Sequence, residues 1–368
     1  MNYSIYSNAR VSTSGSRFFL SLSEILKKKY NFVDYNKYTN EVLFNISVPI
    51  LLIFQAKLKR QKIILRVDGL YFDLYDYKTC NLVPSKKWQK VLVLFTYFIR
   101  PITLSHIANF VDQNYKSFFR IMLADYIIYQ SNYSKNVHQK YFKKKKYLVI
   151  TNGSVYKNEN TLNYVQDKNN ITLGIIYDSW RPSKRITDLI LWVKWANEKK
   201  NEKIQLYIFG YNGIVPRCAP SDLKDIIEKS KFIYHYSRFV KIEEIGGLLS
   251  TLDMYLTFSY RDACPNAVIE AMSYGLPIVG FDSGGIKDIV KNAGEVMSFN
   301  DTFDHFGPGR FNNNFPDIDK ENVLTTVKRV KKNIIHYKKL VEKRFDDDLD
   351  MNLIAKKYYQ CIDSLGSS

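Results

Sequence analysis

Short apolar runs recur along the chain, and stretches with helical spacing separate them. Between residues 185 and 197, and again between 222 and 230, apolar positions repeat as on one face of an amphipathic helix. The runs are rich in β-branched and aromatic residues and have the length of buried strands; they cover residues 62–68, 126–131, 147–152, 170–178, 204–210, 231–236, 254–259 and 277–281. This alternation predicts an α/β protein with doubly wound parallel sheets.

Two domains and a returning helix are expected from the length and from one break in the pattern. The chain has 368 residues, and a single core stops growing at roughly 250–300 residues. A polar stretch without apolar periodicity follows Val155, as expected for a linker. We therefore predict an N-terminal domain over 1–155 and a C-terminal domain over 156–345. The last segment, 346–368, is expected to form a helix that returns to the N-terminal domain.

Composition narrows the class of protein. Aromatic residues make up 15% of the chain and charged residues 24%, which excludes a disordered chain because so much apolar surface can be buried. The four cysteines are scattered without the spacing of a disulfide framework or a zinc site. The N-terminus lacks a secretory pattern, and Arg100 and Pro101 interrupt the most apolar stretch, 91–110. A location in the cytoplasm is expected.

Positive charge is concentrated in the first half. Residues 1–155 contain 24 Lys and Arg against 8 Asp and Glu, whereas residues 156–368 contain 30 against 28. Basic clusters with neighbouring aromatic residues, such as Lys27–Lys29 with Tyr30, are typical of surfaces that meet anionic lipid. A channel for single-stranded nucleic acid has a similar composition. Because no nucleic-acid-binding motif accompanies the charge, we expect an anionic membrane surface as partner of the N-terminal domain and no nucleic acid.

The segment from Ser259 to Val290 contains the candidate chemistry. Pro265 is expected at the first position of a helix that ends near Tyr274. The first backbone N–H groups of that helix would lack intrahelical partners and could bind a diphosphate; they belong to Asn266, Ala267 and Val268. Glu270 could accept hydrogen bonds from a ribose diol, and Asp262 from hydroxyls of a sugar beyond the phosphates. The pattern therefore indicates a nucleotide-sugar site.

The same segment resembles a known family. Asp262 and Glu270 are separated by seven residues, and the sequence EAMSYGLPIVG begins at Glu270. This resembles the signature of the retaining glycosyltransferases of family 4, also called group 1, except that Asp replaces the usual first Glu. The resemblance implies the GT-B fold, in which two Rossmann-like domains face a cleft and a C-terminal helix packs back across.

The resemblance also implies roles for residues elsewhere. Lys184 matches the lysine that neutralises the donor diphosphate, and Arg181 or Arg185 is expected as a second phosphate cation. Tyr236 lies in the segment that meets the nucleobase. The sequence STSGSR, which contains Ser14 and Gly15, takes the place of the family's glycine-rich loop near the phosphates or the acceptor. Asp68 is expected near the reacting sugar, so the expected catalytic residues are Asp262, Lys184 and Asp68.

The function implied by the resemblance is transfer of a sugar from a UDP-sugar or GDP-sugar to a hydroxyl of a glycan or lipid-linked acceptor, with retention of configuration. No metal or other cofactor is expected. The setting would be cell-surface polysaccharide or lipopolysaccharide biosynthesis, with the protein peripheral at the cytoplasmic face of a membrane. Two alternatives stay open: a nucleotide-sugar epimerase of the same fold, and a non-catalytic protein that binds nucleic acid or membranes on this scaffold.

Overall fold

The computed structural model describes residues 3–7, 14–69, 114–139, 142–143, 145–155, 169–177, 180, 182–210, 219–236, 242–298 and 315–366. Chain contacts divide these residues into two compact units. The first unit contains the described residues before 155 and those from 348 onward, and the second contains residues 155–347. Each unit is built on its own parallel sheet.

The first unit alternates strands and helices along the chain. Its elements are β1 (Tyr3–Tyr6), α1 (Ser14–Tyr30), β2 (Val33–Asp34), β3 (Glu41–Asn45), α2 (Ile50–Leu58), β4 (Lys62–Val67), α3 (Tyr115–Leu123), β5 (Tyr126–Tyr129), α4 (Asn132–Gln139) and β6 (Lys146–Val149). The strands pair in the order β2-β1-β3-β4-β5-β6, and every pair is parallel. Parallel neighbours need a crossover connection, which explains the alternation.

The central strands of this sheet are apolar on both faces because helices cover both. Leu43, Ile64 and Ile128 point into one core cluster together with residues of α1. Phe44 and Leu65 point into the opposite cluster, which also contains residues of α2 and α3. Successive side chains of a strand alternate between faces, so a continuous apolar run supplies both clusters at once.

The C-terminal helix belongs to the first unit. After a π-helical turn (Phe345–Leu349), α12 (Met351–Gly366) packs against α1. The rings of Tyr30 and Tyr359 stack with centroids 4.6 Å apart, and Ile354 and Tyr358 are fully buried in the same cluster as Leu43. The chain therefore completes the core of its first unit with its last helix.

The second unit repeats the same plan. Its elements are β7 (Ile171–Ile176), a 3₁₀ turn (Pro182–Lys184), α5 (Ile186–Lys200), β8 (Ile204–Phe209), α6 (Leu223–Lys229), β9 (Ile233–Tyr236), α7 (Ile242–Thr251), β10 (Met254–Leu256), α8 (Asn266–Ser273), β11 (Ile278–Phe281), α9 (Ile286–Val290), β12 (Gly294–Met297), α10 (Lys320–Lys332) and α11 (Ile334–Arg344). The predicted α/β class with doubly wound parallel sheets is confirmed in both units.

The strand order of the second sheet locates a candidate site. The order is β12-β11-β10-β7-β8-β9, all parallel. The chain builds outward from β7 in one direction and then returns to add β10 on the other side. Ligands of such sheets bind outside the carboxyl ends of the strands at this switch point. The segments that follow β7 and β10 are therefore the first place to look for function.

Among the residues that the structure describes, the helices lack the combination of length and apolar character that a membrane-spanning helix needs.

Candidate functional site

Two residues expected to act in catalysis meet at the switch point of the second sheet. Lys184 ends the 3₁₀ turn that follows β7, and Asp262 lies in the loop that follows β10. The ammonium group of Lys184 donates to Oδ2 of Asp262, and each side chain is 24% exposed. The pair is thus half-buried and still open to solvent. The fold brings together two opposite charges that are 78 residues apart in the sequence.

Asp262 is held by its own turn as well as by Lys184. Its Oδ1 accepts a hydrogen bond from the backbone N–H of Cys264 at 3.2 Å. A short acidic side chain that bonds the backbone two residues onward stabilises a turn. The second carboxylate oxygen is the one that faces Lys184. The two oxygens of this carboxylate are therefore used differently.

Three hydrogen bonds donated by backbone N–H groups fix the loop around Asp262. The N–H of Tyr260 donates to the carbonyl of Ser183 at 2.7 Å, which ties this loop to the 3₁₀ turn. The N–H of Arg261 donates to Oγ of Ser283 at 2.8 Å, and the N–H of Gly285 donates to the carbonyl of Asp262 at 2.8 Å. The loop after β11 therefore positions Asp262 from one side, and the turn after β7 from the other.

The sequence pattern does not reveal this support. Gly284 and Gly285 resemble an ordinary turn after a strand, and nothing in the sequence gives a role to Ser183 or Ser283. In the structure Gly284 has a φ of +74°, and a Cβ atom there would lie 2.1 Å from the carbonyl oxygen of Asp262. The Ser-Gly-Gly sequence after β11 is the one sequence feature that indicates a close backbone contact. Only the strand order shows that this contact is with the loop after β10.

Helix α8 begins one residue later than the sequence suggested. Pro265 is the residue before the helix, with extended backbone, rather than its first position. Its carbonyl accepts from the N–H of Val268 at 2.9 Å, so the prediction that Val268 lacks an intrahelical partner is wrong. The tight first turn leaves the N–H of Ala267 without an acceptor among the described residues. The positive end of this helix follows directly after Asp262 and Cys264.

Glu270 lies on α8, one turn beyond Asn266, and is partly buried. Its carbonyl accepts from Oγ of Ser273 at 2.6 Å, a contact that does not involve the carboxylate. The sequence distance to Asp262 is thus realised as one loop and one helical turn. The donor-binding role of Glu270 stays a prediction.

Tyr236 ends β9, two strands from β7 on the carboxyl edge of the same sheet. Its ring stacks on Phe209 with centroids 5.2 Å apart, and its carbonyl accepts from the N–H of Gly210 at 3.0 Å. The ring is partly exposed. A stacked aromatic at this edge is suited to contact a planar base.

Arg185 departs from its expected role as a phosphate cation. It precedes α5 with a left-handed φ of 51° and is only 7% exposed. Its guanidinium donates to Asp188 at 2.6 Å and to the carbonyl of Pro316 at 2.8 Å, and it lies over the ring of Phe315. These bonds give Arg185 a structural role in anchoring the segment before α10. Arg181, the other candidate, lies outside the described residues.

In the first unit, the expected loop at STSGSR is wrong from Ser14 onward. Ser14 and Gly15 form the first turn of α1, which starts right after the residues between 8 and 13 that the structure does not describe. A Cβ atom at Gly15 would meet nothing within 4 Å, so the fold of the described residues does not itself require glycine there. A role for either residue at a ligand stays a prediction.

Asp68 follows β4 at the carboxyl edge of the first sheet. Its carboxylate accepts from Arg66 at 2.9 Å and from the side-chain amide of Gln130, and its carbonyl accepts from Oγ of Ser134 at 2.9 Å. Arg66 is 1% exposed, donates to Asn152 at 2.8 Å and lies over the ring of Phe18. Sequence reasoning missed Arg66, although a charge inside the apolar run KIILRV was a signal, because a buried charge needs partners.

Within the described ranges, no group of three or more His, Cys, Asp or Glu side chains has an arrangement suited to a metal ion. The expectation that the reaction needs no metal stays a prediction.

Comparison with known families gives one match for the second unit. Residues 173–304, which include Lys184, Asp262 and Glu270, match the family model described as glycosyl transferases group 1. The predicted resemblance to group 1 is thus confirmed for this domain, while assignment to family 4 stays a prediction. A search of curated protein sequences gave no significant match.

Solved structures of GT-B glycosyltransferases share the fold of the chain. A glycosyltransferase from Rickettsia africae ESF-5 has a TM-score of 0.62 at 12% identity, with 99% of this chain and 98% of that one covered. Anabaena Alr3699/HepE in complex with UDP-glucose has a TM-score of 0.60 at 10% identity, with 99% and 100% covered. The predicted GT-B fold is confirmed.

A third structure is longer than this chain. The pneumococcal O-GlcNAc transferase GtfA, solved in complex with UDP and GlcNAc, has a TM-score of 0.56 at 14% identity. The alignment covers 95% of this chain but only 60% of the pneumococcal protein. The chain thus spans about 60% of the length of that enzyme.

Proposed function

We propose that the protein is a retaining glycosyltransferase that moves a sugar from a UDP-sugar or GDP-sugar to a hydroxyl of a glycan or lipid-linked acceptor. The observation that carries the proposal is the Lys184–Asp262 ion pair, which precedes the N-terminus of α8 at the switch point of the second sheet. An ammonium group and a helix N-terminus suit a diphosphate, and a carboxylate suits sugar hydroxyls. The family-model match supports the same assignment.

Donor binding would change the partner of Lys184. Without a donor, Lys184 and Asp262 neutralise each other. A diphosphate carries more negative charge than one carboxylate, so the ammonium would turn to the phosphates together with the first N–H groups of α8. Oδ2 of Asp262 would then be released to accept a hydrogen bond from a sugar hydroxyl. The ion pair keeps both groups in place until the donor arrives.

The remaining donor contacts follow from position along the same edge. The carboxylate of Glu270, one turn into α8, would accept hydrogen bonds from the two ribose hydroxyls. The partly exposed ring of Tyr236, at the end of β9, would flank the base. Two similar structures hold UDP or UDP-glucose, which makes UDP-sugars the first donors to test.

The transfer itself needs no protein base in this proposal. The bond from the anomeric carbon to the diphosphate oxygen breaks, and the acceptor oxygen bonds to the same face of that carbon. The leaving diphosphate oxygen keeps the electron pair and takes the proton of the acceptor hydroxyl. Lys184 and the N-terminus of α8 stabilise the charge that develops on the diphosphate. No metal is required for that role.

The acceptor is proposed to be anionic and lipid-linked. Residues 1–155 contain 24 Lys and Arg against 8 Asp and Glu, and this charge would attract an anionic acceptor or an anionic bilayer. Asp68, at the carboxyl edge of the first sheet, is the acceptor-side polar group in this proposal. The setting would be polysaccharide or lipopolysaccharide assembly, with the protein peripheral at the cytoplasmic face of a membrane.

The test is a thermal-shift screen of the purified protein with UDP, GDP and their sugar conjugates. A nucleotide that binds only the folded state raises the free energy of unfolding, by about 2.7 kcal/mol when its concentration is a hundred times its dissociation constant. The melting temperature rises with it. The shift should disappear in Glu270→Ala. It should persist in Glu342→Ala, which removes an exposed carboxylate on α11.

Product analysis separates the alternatives. Incubation with the stabilising nucleotide-sugar and an extract of lipid-linked glycans should give a glycosylated acceptor whose new linkage has the configuration of the donor. An epimerised free nucleotide-sugar would replace the proposal with an epimerase. Absence of any nucleotide shift would remove the donor site altogether.

A further inference from the structure

Helix α2 is mostly apolar, with Gln55 and Lys57 as its polar residues, although one of its faces is exposed. Ile53 and Ala56 are buried against the sheet. On the opposite face Leu51 is 67% exposed, Phe54 is 47% exposed and Leu58 is 82% exposed. A surface helix of a globular protein normally places polar residues on its exposed face. The outer face of α2 therefore carries apolar side chains that the protein core does not use.

Helix α3 extends this face. It packs against α2, and its Phe119 and Met122 are about half-exposed. Two contacts tie the helices together: Nε of Arg120 donates to the carbonyl of Val48 at 2.7 Å, and Lys57 pairs with Asp125. We call this surface the α2–α3 face; it consists of Leu51, Phe54, Leu58, Phe119 and Met122. Scattered exposed apolar residues are ordinary, but five on two paired helices are not.

The two chain segments that form the α2–α3 face carry only positive charge. Residues 48–60 and 114–124 contain five Lys and Arg and no Asp or Glu. Lys59 and Arg60 are exposed just beyond the end of α2. At the end of α3, Lys145 donates to the carbonyls of Met122 and Ala124 at 2.7 and 2.6 Å. Asp125, directly after α3 and Ala124, is acidic, and it pairs with Lys57.

We propose that the α2–α3 face docks the protein on an anionic lipid bilayer. Apolar side chains on a helix enter the boundary between headgroups and acyl chains, while flanking Lys and Arg attract anionic headgroups at about 1 kcal/mol each. A protein partner would also cover apolar side chains, but the five Lys and Arg of these two segments complement the charge of an anionic lipid surface. This inference deepens the membrane association proposed above by assigning it to named residues.

Flotation of the full-length protein with vesicles tests the assignment. Vesicles of phosphatidylcholine mixed with phosphatidylglycerol should carry the protein, and vesicles of phosphatidylcholine alone should carry much less. The combined variant Leu51→Gln, Phe54→Gln and Leu58→Gln should bind the mixed vesicles about a hundredfold more weakly, because each lost apolar side chain removes roughly 1 kcal/mol of partitioning. An unchanged melting temperature would establish that this surface variant is folded.

A matched control and a charge variant complete the design. Ile335→Gln makes the same kind of change at a half-exposed residue of α11 in the second unit, and it should bind like the wild type. Lys59→Gln with Arg60→Gln should weaken binding to the mixed vesicles roughly thirtyfold. At 1 M salt, where the Debye length is about 3 Å, wild type and charge variant should bind alike.

Three results would overturn the inference. They are absence of wild-type binding to mixed vesicles, equal binding by the triple Gln variant, and a wild-type dimer that the triple variant dissociates without any effect of lipid. Because no donor or acceptor is present in the assay, each of these results leaves the glycosyltransferase proposal standing.

Discussion

The carboxylate of Asp262 lies where three chain segments meet. Its ion pair with Lys184 joins the loop after β10 to the turn after β7. From the loop after β11, the N–H of Gly285 donates to the carbonyl of Asp262, and Oγ of Ser283 accepts from the N–H of the neighbouring Arg261. An ion pair that stays open to solvent contributes little free energy, typically below about 1 kcal/mol. The position of Asp262 therefore depends mainly on backbone hydrogen bonds and on the close approach of Gly284.

Replacing Gly284 with Ala should displace Asp262. The new Cβ atom would lie 2.1 Å from the carbonyl oxygen of Asp262, and the left-handed φ of +74° adds strain. We expect the free energy of unfolding to fall by roughly 2 kcal/mol or more and nucleotide binding to weaken. Urea denaturation and the nucleotide thermal shift measure the two effects.

Gly247→Ala is the matched control. Gly247 lies inside α7, and a Cβ atom there meets nothing within 4 Å. Alanine in a helix interior should raise stability by roughly 0.5–1 kcal/mol. Equal stabilities of the two alanine variants would show that the contact between Gly284 and Asp262 does not position the loop.

At the residue scale, the sequence predicts which residues carry the chemistry better than it predicts their contacts. The types and spacing of Asp262, Glu270 and Lys184 are enough to indicate a site, because these charged groups lie in segments that follow predicted strands. The bond from Arg261 to Ser283 could not be predicted, since it depends on which strands are neighbours. Arg185 shows the reverse error: its charge suggested a ligand contact, but its burial beside Phe315 gives it a structural role.

At the scale of elements, helices α10 and α11 are attached beneath the second sheet by buried lysines. Lys331 on α10 pairs with Asp253 at 2.6 Å, and Lys338 on α11 donates to the carbonyl of Leu252 at 3.1 Å. Both contacts reach the residues just before β10. Burial lowers the pKa of Lys338 to about 8, and the nearby Asp253 only partly offsets this effect. Burying the charged ammonium group of Lys338 therefore lowers the stability of the folded protein, although the same group bonds α11 to Leu252.

Lys338→Met should stabilise the protein at pH 7. Below pH 8 both the folded and the unfolded protein hold the Lys338 proton, so the cost of burying the charge is fully present. Between pH 8 and about 10.5 only the unfolded state keeps the proton, and the stability contribution rises with pH by roughly 3 kcal/mol. We expect a gain of about 1–2 kcal/mol at pH 7, because the lost bond to Leu252 offsets part of the relief.

Urea denaturation between pH 7 and pH 10 measures this effect. The rise of stability above pH 8 should be smaller in Lys338→Met than in Lys339→Met, which removes the neighbouring exposed lysine. Parallel stability curves for the two variants would contradict the assignment of the low pKa to Lys338.

Elements with strong apolar patterns were predictable, and their ends were not. The runs at 62–68 and 204–210 became β4 and β8 because buried parallel strands are apolar on both faces. The start of α1 at Ser14 was missed, since Ser, Thr and Gly are as common in loops as before helices. The first turn of α8 tightens against Pro265, a choice that the proline alone does not determine.

At the scale of the whole molecule, the two units differ in charge and in their buried ionisable groups. The basic excess that the sequence places before residue 155 coincides with the first unit, which also holds a fully buried His138. Its Nδ1 contacts the carbonyl of Ser134 at 2.8 Å, and its ring stacks on Tyr129. The second unit holds Lys338 instead. The units should therefore respond to different ends of the pH range.

Acid should destabilise the first unit more than the second. Burial lowers the pKa of His138 to about 4. As pH falls from 6.5 toward 4, the imidazole is protonated in the unfolded state but stays neutral in the folded state, so stability falls. The contribution of His138 to stability is present above pH 6.5, and roughly 3 kcal/mol of it is lost by pH 4. Glu41, whose pKa burial raises, acts in the opposite direction in the same unit.

Hydrogen exchange at pH 7 and pH 5, corrected for intrinsic rates, should show faster opening of α4 and β5 at pH 5, with little change in β7 and β8. His138→Phe keeps a ring against Tyr129 and cannot be protonated, so it should remove this difference. Equal acceleration in both units, or the same acid response in His138→Phe, would contradict the assignment.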